Sequence, residues 1–170
     1  MKNTRTRNLI LGAVIAALYV ILTLLQDYLL PGTTSLSIQF RVAEALCILT
    51  LFTPSAIWAL SLGCLLFNLT SGASLPLDWL VGTTATALSA ITMYHLRKIK
   101  VKKLPLLSLF IPAAINGILV GAELTIYMKG SPMWLNVVSV AVGESLILFT
   151  LGIGLYFALL PVKDRLFGKD

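Results

Sequence analysis

Charge is what this chain has least of. Only 12% of its 170 residues are charged, while 58% are apolar. A soluble domain carries about 25% charged residues and needs a polar skin that so few charges cannot make. A soluble globular fold is therefore excluded, and so is disorder, which requires low hydrophobicity. Catalytic signatures are missing as well. With a single histidine, His95, no paired-histidine zinc motif exists, and there is no Gly-Lys-Ser/Thr phosphate loop or other ATPase signature. No serine stands in a nucleophile elbow. No catalytic residue, cofactor or metal is expected. The two cysteines, Cys47 and Cys64, fall within apolar runs and read as small buried residues, not as a disulfide or a metal pair. A chain of this kind that moves a solute uphill needs an ion gradient or an energised partner.

What the chain does have is long apolar runs, each measured against the roughly 20 residues a membrane helix needs. The first, Leu9 to Leu30, ends at the turn signal Pro31-Gly32; it is too long for a cleaved signal peptide, and no small-x-small cleavage site follows. The second, from Phe40, is short and breaks at Thr53-Pro54-Ser55. Four more follow, separated by the Thr70–Pro76 loop, a basic stretch, and the turn Lys129-Gly130-Ser131-Pro132. The expectation is an all-α integral membrane protein, a single six-helix domain over residues 1–170, with spans near 8–30, 40–53, 55–70, 78–96, 105–128 and 133–160. No repeat, long linker or low-complexity tract interrupts it.

The net charge of +6 is a topology signal before it is anything else. Of the 13 basic residues, eleven fall in three segments: Lys2, Arg5 and Arg7; Arg97, Lys98, Lys100, Lys102 and Lys103; Lys163, Arg165 and Lys169. Arg41 and Lys129 are the exceptions. Under the positive-inside rule these segments, and with them both termini, are cytoplasmic. A membrane-surface role explains the central cluster without a nucleic-acid partner, and none is expected. Five of the seven acids lie elsewhere: Asp27, Glu44, Asp78, Glu123 and Glu144.

On this topology the intramembrane polar groups collect at or outside the midplane. Arg41 and Glu44 open span two, Asn68 closes span three, and Asp78 opens span four. Asn116 sits near the midplane of span five, with Glu123 on the same face seven residues on. Asn136 is near the outer surface of span six, and Glu144 lies ~16 Å deep at 1.5 Å per residue. A charge at membrane depth costs at least about 2.5–3.5 kcal/mol, so these acids must be protonated, paired or facing water. Either they line an outward polar cavity for a solute, or they tie helices together. Arg41 and Glu44, three apart, can also pair locally, and Asp78 can serve as a helix N-terminal carboxylate. Trp79 and Trp134 at the outer ends read as an interfacial belt or as a stacking platform for a planar ligand. On span one, Ala13 and Ala17, like Gly12 and Ala16, are small residues four apart that allow close helix approach.

The chain resembles the QueT family, substrate-binding S components of energy-coupling factor transporters. The resemblance is carried by Ile38-Gln39-Phe40-Arg41-Val42-Ala43-Glu44-Ala45-Leu46, Gly63-Cys64 with Asn68, and Asp78 with Gly82-Thr83-Thr84-Ala85-Thr86. Asn116 with Gly121-Ala122-Glu123, and Gly143-Glu144, complete it, in order along nearly the whole chain. It implies a six-helix S-component bundle that captures a micronutrient from outside. Its partners would be a transmembrane coupling subunit and two ATPase subunits, with Ala13 and Ala17 matching the family's docking motif. It implies a queuosine precursor as substrate, a deazaguanine base such as queuine or its aminomethyl precursor. It also implies a gate in the Pro31–Gln39 loop. Carboxylates accept from the N–H edge of such a base, Asn and Arg supply donors, aromatics stack on its ring, and a second carboxylate suits an aminomethyl cation. On this basis Glu123 and Glu144 are the principal ligand acceptors, Asn116 and Asn68 orient the ligand, and Arg41, Glu44, Asp78, Trp79, Trp134 and Asn136 complete the candidate site.

Overall fold

The structure, a computed structural model, describes residues 4–34, 40–72, 74, 76–101 and 104–168. Five residues of the Pro31–Gln39 loop, 35–39, lie outside the described residues, as do Lys2, Lys102, Lys103, Lys169 and Asp170. The described elements are helical: α1 (Thr4–Leu29), a 3-10 segment (Val42–Leu51), α2 (Ser55–Thr70), α3 (Asp78–Leu96), α4 (Leu106–Tyr127) and α5 (Met133–Ile147). A π-helical turn (Leu148–Gly152) carries α5 into α6 (Ile153–Leu159), and a short α7 (Lys163–Leu166) is the last described helix. Gly32 (φ 86°) and Gly130 (φ 97°) supply the left-handed turns after α1 and α4, a conformation open to glycine at no steric cost.

Among the described residues, three helical stretches are long and apolar enough to cross a membrane: α1 with 26 residues, α4 with 22, and the α5–α6 rod Met133–Leu159 with 27. Leu9, Ile10, Ile21, Phe110, Ile118 and Val142 each expose more than half their surface. Contiguous apolar exposure on that scale would aggregate a soluble protein and suits lipid. The 3-10 segment and α2 are apolar but shorter, and α3 is interrupted by Thr83, Thr84, Thr86 and Ser89.

The 3-10 segment is the core of the bundle. Residues 43–50 are all buried, and Tyr19, Leu60, Met93 and Leu148 pack around it. At about 2.0 Å rise per residue its ten residues reach about 20 Å, where an α-helix would reach about 15 Å. That extension offsets the shortness of the second apolar run. Three residues per turn also stack positions i and i+3, so Glu44, Cys47 and Thr50 form one row.

Small residues set the helix spacing. A Cβ on Gly63 would lie 2.8 Å from Tyr19 Cβ and 3.0 Å from the Ala16 carbonyl, and one on Gly12 would overlap the Trp58 ring. Gly12 and Ala16 therefore face inward against α2, whereas Ala13 and Ala17 lie on the exposed face of α1. Between α4 and α5 the approach is closer still: a Cβ on Gly121 would be 2.7 Å from Val137 Cα.

The basic segments converge on one end of the bundle. Arg7 donates to the Phe167 carbonyl (2.9 Å), joining the start of α1 to the C-terminal tail. Arg97, Lys98 and Lys100, after α3, share a cleft with Lys163. The acids of the core gather toward the other end, where α1 stops, α3 starts and α4 turns into α5.

Candidate binding site

Glu44 lies at the start of the 3-10 segment, 1% exposed, and is fully engaged. Its carboxylate accepts from Tyr19 Oη (2.6 Å) on α1, Cys47 Sγ (2.9 Å) and Thr86 Oγ1 (3.5 Å) on α3. It is held by these three groups rather than by Arg41 one turn earlier. The Arg41 guanidinium points at Cys64 Sγ (3.8 Å), and its Nε has no hydrogen-bond partner among the described residues. The bare Cα of Gly82 leaves room for it: a Cβ there would sit 3.7 Å from Arg41 Nη1 and 3.0 Å from Asn68 Nδ2.

Glu144 and Asn116 meet across the α4–α5 seam, Asn116 Nδ2 donating to Glu144 Oε1 at 3.0 Å. The contact depends on the glycine-mediated approach of these two helices. Just beyond Glu144 the π turn adds a residue, so that Leu148, Gly152 and Tyr156 all continue on the buried side. Such insertions are often found at functional sites.

Arg41, Glu44, Asn116 and Glu144, with Val120 and Val140, enclose a cavity of about 10 Å³. That is at the lower limit for a single water. Alongside, Glu123 is 2% exposed and neither of its oxygens has a hydrogen-bond partner among the described residues. Its carboxyl faces and interacts with that of Asp78 across the α3–α4 contact, outside normal hydrogen-bond distance. The Arg41 charge acts on all four carboxyls, those of Glu44, Asp78, Glu123 and Glu144. Four buried carboxyls around one guanidinium repel one another unless protonated or joined by a further cation or N–H donor.

The remaining candidates stand apart from the cavity. Asn68 donates to the Asp78 carbonyl (2.8 Å) and accepts from Ser74 (3.4 Å), bracing the start of α3 against α2. Asn136 accepts from Ser131 (2.8 Å) and donates to Thr125 (3.0 Å), fastening the α4–α5 turn. Trp79 and Trp134 are 46% and 67% exposed on the outside of the bundle, where an interfacial belt would sit. Conversely, Tyr19, Cys47 and Thr86 enter the site although the sequence analysis assigned none of them to it, reading Cys47 as a small buried residue and Thr86 as part of the family pattern. Tyr19 had one usable signal: a buried tyrosine hydroxyl needs a partner.

Gln26 is a further unforeseen residue. Buried on α1, it donates to the Phe40 carbonyl and to Thr33 Oγ1 (3.0 Å), and its own carbonyl accepts from the Val42 N–H (2.7 Å). One amide thus ties together both described ends of the loop that leads into the 3-10 segment.

Buried carboxyls at one end of a lipid-compatible helical bundle, with cations at the other, define a membrane protein that handles a polar solute. The family model described as QueT transporter matches residues 9–161. The chain belongs to the QueT transporter family. One relative, the Queuosine precursor transporter QueT of Lactococcus lactis subsp. cremoris (strain MG1363), is 39% identical over 74 residues, 42% of this chain and 41% of that protein. The match therefore spans less than half the length of that relative. No solved structure matches.

Proposed function

We propose that this chain is the substrate-binding S component of an energy-coupling factor transporter for a queuosine precursor. It would cross the membrane six times with both termini cytoplasmic. The carrying observation is the cavity formed by Arg41, Glu44, Asn116 and Glu144, with the Glu123 carboxyl beside it facing Asp78 and accepting no hydrogen bond among the described residues. A deazaguanine presents N–H donors that Glu123 and Glu144 can accept, and a carbonyl that Asn116 or Arg41 can meet. An aminomethyl group would bring the positive charge that four carboxyls around one guanidinium lack. Asp78 adds to that field, Glu44 fixes the 3-10 segment, and Asn68 keeps Asp78 in place. Because the cavity holds no more than a water, a base enters only if the acid-rich end opens.

No element of the chain resembles an ATPase, so the energy would come from partners: a coupling subunit and two ATPases. The exposure of Ala13 and Ala17 on α1, with Gly12 and Ala16 occupied internally, supports docking of the coupling subunit on that face. The test is calorimetric titration of the purified chain with queuine and with the aminomethyl-deazaguanine. Saturable binding of at least one is expected. Binding of another vitamin in place of both would overturn the substrate. Uptake by liposomes containing this chain alone, driven by a pH gradient, would replace the S-component role by that of a proton-coupled carrier.

A further inference from the structure

A cavity of about 660 Å³ lies at the opposite end from the acids. It is built rather than incidental. Arg7 holds the C-terminal tail by its bond to the Phe167 carbonyl. The Phe52 ring stacks on Phe167 and on Tyr156, with centroids 5.5 Å apart in each case, to make the wall. Val101 and Leu104 close the basic loop on itself through two backbone hydrogen bonds (2.8 and 3.0 Å). Arg97 is oriented by its bond to the Tyr94 carbonyl (2.8 Å) and by the Tyr94 ring beneath it (3.8 Å).

The lining has two chemistries. Arg97, Lys98, Lys100 and Lys163 bring four cations against one carboxylate, Asp164. Leu51, Phe52, Tyr156, Leu160 and Phe167 bring apolar surface. The cleft sits where α3 ends, α4 begins and α6 ends, the level at which a bundle meets the lipid headgroups. The helices flanking it present Leu107, Phe110 and Phe157 outward, 44–54% exposed, toward where acyl chains would run.

We propose that this cleft is a binding site for the phosphate-bearing headgroup of an anionic phospholipid. A free phosphate would satisfy the cations and leave the apolar wall in water. A neutral or zwitterionic lipid would cover the wall and leave the cations uncompensated. An anionic phospholipid meets both, and basic pockets between membrane helices take such headgroups. Bound there, it links the α3–α4 loop to the C-terminal tail. The site is independent of the substrate cavity at the other end.

The experiment uses the full-length chain, delipidated in a nonionic detergent. It is titrated with dioctanoyl phosphatidylglycerol, dioctanoyl phosphatidylcholine and glycerol 3-phosphate, with bound ligand counted by native mass spectrometry. The phosphatidylglycerol should bind at least about 10-fold more tightly than either of the others. Each cation is worth roughly 5-fold near an anionic headgroup, so the triple variant Lys98→Gln, Lys100→Gln, Lys163→Gln should lose about 100-fold. Lys129→Gln, at the far end, should lose nothing. All four side chains are exposed, so these variants fold, which circular dichroism checks. Equal binding of glycerol 3-phosphate would make this a free-anion site, and equal binding of phosphatidylcholine would make it an unselective groove. Unchanged phosphatidylglycerol affinity in the triple variant would place the lipid elsewhere. Any of the three overturns the proposal.

Discussion

A single buried group without a partner says more about what a site can take than several satisfied ones. Glu44 already has three donors, whereas Glu123 has none among the described residues. A hydrogen bond to a charged group contributes about 1.5–3 kcal/mol. Glu123→Gln should therefore weaken binding of an aminomethyl-deazaguanine roughly 10- to 100-fold in a calorimetric titration. The variant's thermal midpoint should not fall, because an amide facing the Asp78 carboxyl can donate to it where two carboxylates would repel; a large fall would mark Glu123 as structural. Gln26 should behave in the opposite way. Replacing it by leucine removes the partners of the part-buried Val42 N–H and Phe40 carbonyl, at about 0.5–1.5 kcal/mol for each hydrogen bond lost. The expected readout is a lower thermal midpoint and faster hydrogen exchange at Val42, and an unchanged exchange rate would refute the tie.

At the scale of elements, two close approaches and one unusual helix position the site. Gly121 sits against the backbone of Val137, so even a methyl group there forces α4 and α5 apart. Nothing lies within 4 Å of the Cβ position of Gly154. Gly121→Ala should lower the thermal midpoint and weaken substrate binding, since it loosens the Asn116–Glu144 contact. Gly154→Ala should be neutral or mildly stabilising, by up to about 1 kcal/mol from helix propensity. Equal effects of the two would remove the role given to the α4–α5 seam. The 3-10 segment is the element least legible beforehand. Its apolar run was visible and looked short for a span, but nothing in Val42–Leu51 announces three residues per turn. Burial on every side decides it, because extension across the core satisfies more packing than a shorter α-helix would.

For the whole molecule, the two ends have opposite chemistry, and that polarity predicts orientation. Cysteine substituted for Lys163 should react with a thiol reagent only from the cytoplasm, and one substituted for Lys129 only from outside. Cys47 and Cys64, both buried, should stay silent in the folded protein. Labelling of both introduced cysteines from one side would overturn the proposed topology. The proposed docking on a coupling subunit belongs to this scale too. Ala13→Leu with Ala17→Leu should abolish ATP-dependent uptake in the presence of partner subunits while leaving substrate affinity unchanged. Loss of both would show that α1 serves folding alone.

Sequence by itself determined the class of this protein and the family to which it belongs. Too few charges for a polar skin, apolar runs of membrane length and three basic clusters are local properties, and no packing can undo them. The acids at risk were legible for the same reason, since a carboxyl inside an apolar run needs an explanation wherever it lies. Tertiary structure alone decided which of those groups meet. Asn116 and Glu144 are 28 residues apart and touch because two helices approach at glycines. Asn136 and Asn68, of the same residue type but nearer the ends of their helices, were drawn instead into bracing a turn and a helix start. Hydrogen bonds in a water-poor interior go to whichever partner the packing brings within about 3 Å, and that choice is not written in any one segment of the chain.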